Sequence, residues 1–328
     1  MNTSSFILKS CRRIYRAIAR PHFVKPECEY DREISNLKIY DLLMRDKPCM
    51  ISRLGSTETN IILNYKSIVS EKPFLGKVFR FIVSNIGLPV WDEKCFHYCE
   101  RFSGIFPPTK EILSAFSKLY LQDMQEMDLI GSFQYGEKYL PLREDLQYVH
   151  LEMLYPFFVK EPWTRALKGK KVLVIHPFEN TIRSQFSQRE LLFDNQDVLP
   201  DFELYTLRAI QTLGGGNDHF KNWFEALHYM EQKITEIDFD ICLLGCGAYG
   251  LPLAAFIKRM GKKAFHIGGG LQLLFGIKGK RWDDNAYHWP DLPQIDTNYS
   301  KLYNSNWVRA SESETPQTAQ KVEGACYW

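Results

Sequence analysis

Gly245-Cys246-Gly247-Ala248-Tyr249-Gly250 follows the apolar run Phe239-Asp240-Ile241-Cys242-Leu243-Leu244 and opens a helix-like run through Met260. A G-x-G-x-x-G in this setting demands a buried strand, a tight turn and a helix N-terminus in sequence. The glycines permit close backbone approach, and the first N–H groups of the helix lack intrahelical partners and suit a phosphate. Gly245, Gly247, Tyr249 and Gly250 are therefore candidate contacts to a phosphate-bearing ligand. Tight strand–helix packing without any ligand is the alternative, because glycine has a steric reason there in either case. A dinucleotide enzyme would add an acidic residue about 20 residues on, at the end of the next strand, to hold the ribose. That strand, Lys262-Lys263-Ala264-Phe265-His266-Ile267, runs instead into Gly268-Gly269-Gly270. The missing acid argues against NAD.

The rest of the chain fits the same architecture. Its 328 residues suffice for one large α/β domain or two small ones. A net charge of +2 gives no global reason to invoke nucleic acid. The cysteines at 11, 28, 49, 95, 99, 242, 246 and 326 are scattered and follow no signal peptide, so reduced thiols in a cytoplasmic protein are expected. Cys95-Phe96-His97-Tyr98-Cys99 resembles half of a metal knuckle without a second ligand pair.

Residues 1–26 form the one segment with local charge asymmetry. Phe6, Ile7, Leu8, Cys11, Ile14, Tyr15 and Ile18 recur at helical spacing, and Lys9, Arg12, Arg13, Arg16 and Arg20 fill the other faces. Such a basic amphipathic helix either lies on an anionic membrane surface or packs on its own domain; it is too short and too charged to span a bilayer. The main domain is expected over 27–309. From about Ala310 to Trp328 the chain is rich in Ser, Glu, Thr and Gln, which predicts a disordered tail.

Within the domain, a helix about Asp31 to Arg45 precedes a short strand at Pro48-Cys49-Met50-Ile51-Ser52. The strand ends in Arg53-Leu54-Gly55-Ser56-Thr57-Glu58, and a helix follows through Tyr65. Further strands are expected at 127–133, 170–175 and 202–207, with helices over 181–193 and 218–237. Leu213-Gly214-Gly215-Gly216-Asn217 reads as a flexible connection. Alternating strands and helices with short loops predict a Rossmann-like parallel sheet covered by helices. Ligands in such sheets bind beyond the carboxyl ends of the strands, where Arg53/Glu58, His176/Glu179, the glycine turn and His266/Gly268 all fall. Gly268 and Gly269, followed by Lys278, Lys280, Arg281 and Trp282, suit a diphosphate and a base or sugar face; a solvated basic loop is the alternative. Arg53 and Glu58 read either as a structural ion pair or as a diphosphate clamp and a general base. His176, with Glu179 and Arg183, reads either as a polar strand end or as a catalytic group.

Two blocks together resemble the bacterial GT-D type of glycosyltransferase, whose opening motif is R-x-G-D-G-E. Arg53-Leu54-Gly55-Ser56-Thr57-Glu58 matches it at the Arg, the first Gly and the Glu. The second block, Asp240 to Leu253-Ala254 and then Gly261 to Gly268, is similar to the family's later pattern, a D-hydrophobic-G strand, a helix and a strand ending in Asp-Ile-Gly. The likeness spans roughly residues 45 to 280 and implies a GT-D-like fold that transfers a sugar from a nucleotide diphosphate, a UDP-sugar being one candidate. The implied acceptor is a glycan or lipid-linked chain in surface polysaccharide assembly. The resemblance assigns Gly55 and Ser56 to the donor and Glu58 to catalysis or to a divalent metal. Ser56 stands where the family has the first acid of D-x-E, and one carboxylate with hydroxyls is a poorer site for a hard cation than two. Two rivals differ in kind: a nicotinamide- or flavin-dependent oxidoreductase, and a non-catalytic nucleotide-binding partner of a membrane assembly complex.

Overall fold

Seven strands form one parallel sheet in the computed structural model, which describes residues 3–215, 219–283, 289, 292, 294–322 and 324–328. They are β1 (Cys49–Arg53), β2 (Leu129–Ser132), β3 (Gln147–His150), β4 (Lys171–His176), β5 (Glu203–Arg208), β6 (Ile241–Leu244) and β7 (Lys263–His266), ordered β3-β2-β1-β7-β6-β4-β5. β7 is the middle strand and β1 lies beside it, with Ile51 opposite Leu129 on one side and Phe265 on the other. The helices are α1 (Thr3–Ala19), α2 (Arg32–Met44), α3 (Ser56–Val69), α4 (Phe74–Val83), α5 (Glu93–Tyr98), α6 (Lys110–Asp123), α7 (Glu179–Phe186), α8 (Trp223–Thr235), α9 (Gly250–Arg259) and α10 (Leu271–Leu274). Two residues each of β8 (Ile277–Lys278) and β9 (Val308–Arg309) pair separately.

The strands read as continuous apolar runs because both faces of the sheet are covered. Ile51, Val172, Val174, Ile241, Leu243 and Phe265 enter one core, while Met50, Leu173, Ile175, Cys242, Leu244 and Ala264 enter the other. The period-2 alternation of the pleat sorts them. After β4 the chain moves outward to β5, with Ile182 of α7 in the first core. After β6 it moves inward to β7, with Leu251 and Leu253 of α9 in the second. Neighbouring strands whose helices leave to opposite faces open a crevice at their carboxyl ends, the usual ligand position in an open parallel sheet.

Several local expectations shift. α7 ends at Phe186 rather than Phe193, because Leu192 and Phe193 turn into the core. β3 follows the polar run Arg143-Glu144-Asp145 and gave no strand signal. α8 starts at Trp223, where the Asn222 side chain accepts from Glu225 N–H at 3.0 Å. Gly216, Asn217 and Asp218, in the expected flexible connection and helix start, lie outside the described residues.

The tail is not disordered. Glu314 is buried and accepts from Asn180 N–H at 2.7 Å and Thr181 N–H at 3.2 Å, capping the start of α7. Ala319, Val322 and Cys326 are buried too. The polar composition misleads because its carboxylate and hydroxyls serve buried backbone groups rather than water.

Residues 3–19 are helical and pack on their own domain, one of the two expected arrangements, but they do so through their cationic face. Arg12 donates to Ser84 O at 2.9 Å and Ile86 O at 3.3 Å, and Lys9 pairs with Asp92 at 2.8 Å. Ile7, Ile14 and Ile18 point to solvent, Ile18 being 79% exposed. The cations fasten the helix to the domain, and the apolar stripe faces outward.

Candidate active site

The crevice between β4 and β6 holds a cavity of about 100 Å³ lined by Arg53, His176, Gly245, Gly247, Gly268 and Trp328, among others. Its floor is the glycine turn, and each glycine has a different reason to be there. A Cβ on Gly245 would lie 2.5 Å from His176 Cδ2 and 3.1 Å from Gly268 O. One on Gly250 would lie 2.1 Å from Nδ1 of His266, so the third glycine lets α9 close on β7. Gly247 differs: it has φ +57° and nothing within 4 Å of its Cβ position. Its backbone faces open cavity at the entry to α9, so this glycine answers to no neighbour in the protein.

Arg53 ends β1 and reaches across the sheet's carboxyl edge. Its guanidinium lies 5.6 Å from the Phe133 ring centroid and donates from Nη2 to Leu54 O at 3.3 Å. A Cβ on Gly268, which has φ +83°, would lie 3.1 Å from Arg53 Cδ. Nε of Arg53 is buried without a hydrogen-bond partner. Among the described residues no carboxylate lies within ion-pair distance of Arg53, so Arg53 and Glu58 are not the structural pair that their spacing allowed.

Glu58 sits in the first turn of α3 and is buried. Its carboxylate folds back over the N-cap, and a Cβ on Gly55 would come 1.7 Å from Oε2. Gly55 is therefore the space that Glu58 occupies. Ser56 is exposed at the start of the same helix, whose N-cap has no side-chain hydrogen bond. The charge of Glu58 helps hold the buried Tyr120 phenol neutral, well above its ordinary range, after burial itself. Tyr120 donates to Ala248 O at 2.5 Å, which ties α6 to the glycine turn beside Glu58.

His176 and His266 are both buried and neutral. Burial pushes His176 down to about 3, and its Nδ1 accepts from Phe178 N–H at 3.0 Å. That bond leaves Nε2 carrying the proton, so His176 can donate a hydrogen bond and cannot act as a base near neutrality. His266 is likewise pushed down to about 3, by burial and then by the Arg53 charge. Its Nδ1 lies 3.3 Å from Leu244 O, which makes it a packed strand-end group rather than a ligand contact. Tyr249 lines the cavity, but its ring stacks on Trp223 at 4.9 Å and its hydroxyl is 3.2 Å from Thr212 Oγ1. Glu179 and Arg183 pair with each other at 2.6 Å.

The expected cation cluster faces elsewhere. Lys280 donates to Gly324 O at 3.4 Å, Arg281 to the Tyr327 hydroxyl at 3.2 Å, and Lys278 lies 5.4 Å from the Tyr303 ring. Lys280 and Arg281 bind the tail, Lys278 lies against the segment before it, and none of the three lines the cavity. Gly269 and Gly270 serve packing as well: Cβ atoms there would meet Tyr327 at 2.2 Å and Tyr155 at 2.1 Å. Tyr327 and Trp328 are the site residues that sequence reasoning missed. Trp328 packs edge-on against Phe178 at 6.1 Å, and Gln272 donates to Tyr327 O at 3.0 Å. Two aromatics ending a polar tail were the only signal.

Glu137 is a carboxyl that sequence reasoning also missed. It lies near Arg53 at the end of β2, and burial raises it to about 7. Ser132 Oγ and the N–H groups of Phe133 and Gln134 already donate to it, the latter two at 3.3 Å. Gly55, Ser56 and Glu58 do not line the cavity, although Arg53 at the same strand end does, and no three His, Cys, Asp or Glu side chains converge among the described residues. That donor set does not fit a resident divalent ion, which wants six or more oxygens or several retained waters. Cys95 and Cys99 are buried thiols pushed up to about 12 by desolvation, with Sγ donating to Asn64 Oδ1 at 3.5 Å and Phe96 O at 3.2 Å.

No protein-family model matches the chain, and no curated protein does. Among solved structures it is similar to a selenomethionine-substituted domain of unknown function 1792, at 14% identity and a TM-score of 0.35, over 94% of this chain and 95% of that one. The fold is a Rossmann-like α/β sheet by its own topology, with a cavity at its switch point. No helix among the described residues is long and apolar enough to cross a membrane.

Proposed function

We propose that this chain is a GT-D-like glycosyltransferase that moves a sugar from a nucleotide-diphosphate donor to a glycan or lipid-linked acceptor at a membrane surface. The observation that carries the reading is Gly247: an open, left-handed backbone at the entry to α9, lining the same cavity as an arginine that has no carboxylate within ion-pair distance among the described residues. A diphosphate satisfies both groups, with the turn N–H groups and Arg53 as donors and His176 Nε2–H as a third.

In the proposed step the acceptor hydroxyl gives its proton to Glu58, and its oxygen bonds to the anomeric carbon. The bond from that carbon to the diphosphate oxygen breaks, and the electron pair leaves with the diphosphate. Charge grows on the leaving group, where fixed donors in a dry site act most strongly. No divalent ion is given a step, because the residues present do not form a cage for one.

The cavity of about 100 Å³ is well under the roughly 300 Å³ at which small-molecule sites begin. Tyr327 and Trp328 line it, so donor binding on this reading moves the tail aside. A thermal-shift panel tests the proposal. UDP or another nucleoside diphosphate should stabilise the protein and NAD should not; stabilisation by NAD alone would replace the transferase with an oxidoreductase.

A further inference from the structure

A second, larger cavity of about 700 Å³ lies beneath α1. Lys9, Arg12, Arg13, Arg16, Lys25 and Lys94 line it, against Asp92 as its one carboxylate. Asp92 is already taken by Lys9. Nε of Arg12 and Nε of Arg16 are buried there without hydrogen-bond partners. Their terminal nitrogens donate to Ser84 O, Ile86 O and Asn85 Oδ1, none of which carries a charge. Burial and then the neighbouring Arg16 charge push Arg12 down to about 10, so the two guanidiniums are crowded and lack a carboxylate of their own. A surplus of cations around two idle Nε donors is a complement for a compact anion, and guanidinium forks suit phosphate oxygens best.

The other face of the same helix says where that anion comes from. α1 carries no carboxylate, and its outer stripe of Ile7, Ile14 and Ile18 is exposed. α4 packs beside it and exposes Phe74, Leu75 and Phe79, with Leu75 at 81%. Exposed Arg20, Lys72 and Arg80 belong to these two helices or adjoin their ends, where they complement an anionic leaflet. An apolar stripe among cations is the pattern of a helix lying in a membrane interface.

We propose that the cavity beneath α1 binds the phosphate group of a lipid-anchored ligand, while the outer stripe of α1 and α4 rests in the bilayer that carries it. Thr57, Phe133 and Gln134 also line this cavity. Thr57 adjoins Glu58, and Phe133 carries Arg53 over its ring, so the cavity backs directly onto the candidate active site. If the transferase reading is right, the bound lipid is the acceptor. That identification rests on the reading; the phosphate site does not.

The test uses the full chain and no nucleotide. Dihexanoyl phosphatidic acid, below its micelle concentration, and inorganic phosphate are titrated by calorimetry at low salt. Flotation uses phosphatidylcholine vesicles with and without phosphatidic acid. The soluble lipid should bind more tightly than inorganic phosphate, and the protein should float only with phosphatidic acid vesicles. Arg13→Gln with Arg16→Gln should weaken the soluble lipid at least tenfold without lowering the melting temperature by more than a few degrees; thermal unfolding checks the fold. Ile14→Ser with Ile18→Ser, at exposed positions, should abolish flotation and leave the soluble lipid bound. Unchanged lipid affinity in the arginine variant, or no binding by wild type, overturns the phosphate site. Inorganic phosphate binding as tightly as the lipid, without flotation, overturns the lipid source. Self-association that the isoleucine variant abolishes would give the stripe to a second copy and overturn the bilayer contact.

Discussion

Replacing Gly247 with valine separates a ligand-binding turn from a packing turn. At φ +57° an L-residue pays about 1–2 kcal/mol for the left-handed backbone, and a β-branched one more. Nothing lies within 4 Å of the new Cβ, so no clash is added. In a chain of this length each kcal/mol corresponds to roughly 2–4 °C or less, and the melting temperature should fall by only several degrees. Binding should suffer more, because the side chain fills the space where a diphosphate meets the turn. A loss of UDP affinity of about tenfold or more, at least 1.4 kcal/mol, is expected by calorimetry. Gly250→Ala is the counterpart. Its Cβ would lie 2.1 Å from His266, so overpacking should cost about 1–3 kcal/mol or more while the turn above stays open. Gly247→Val binding UDP as wild type does, with Gly250→Ala no less stable than wild type, would refute the division of labour among these glycines.

Glu58→Gln should leave UDP binding intact and slow transfer by about a hundredfold or more, the usual worth of a positioned base; near-normal turnover removes that role. Activity should persist in excess EDTA, since no three metal-ligating side chains converge among the described residues; strict Mg²⁺ or Mn²⁺ dependence would show that donor and protein oxygens together build the ion's shell. Deleting 326–328 should raise nucleotide affinity by opening the cavity, and a loss of affinity would make Tyr327 or Trp328 a stacking platform instead. Stability also carries a pH signature. His176 and His266, pushed down to about 3, stay neutral while the unfolded chain protonates its histidines, so they lower stability as pH falls below 6.5. Glu137 is raised to about 7 and binds its proton in the folded state first, so it adds stability over the same fall. Glu137→Gln should therefore lose about 2 kcal/mol more than wild type on going from about pH 7 to about pH 5 in urea unfolding; parallel losses would contradict the raised value.

The sheet was legible because its strands are buried on both faces, so Lys171–His176 and Ile241–Leu244 read as unbroken apolar runs. The strand-end residues around the crevice were legible for the same reason, since position in a parallel sheet fixes where loops gather. What each residue does there was not. Gly250 and Gly269 answer to His266 and Tyr327, contacts that cross the fold and leave no local mark. Lys280 and Arg281 suggested a phosphate, yet they hold a tail that composition had assigned to solvent. α1 shows the limit most plainly. A helical periodicity reveals that a helix has two faces, and it does not say which one the protein keeps.

The central claim is a sugar-nucleotide chemistry at the β4–β6 crevice. Release of nucleoside diphosphate from a panel of sugar nucleotides, followed with a membrane extract as acceptor source, tests it most directly. Wild type should release the diphosphate from one donor, with label from that sugar appearing in the extract, and Arg53→Met and Glu58→Gln should both fail. Release from no donor, or release that both variants match, would contradict the account.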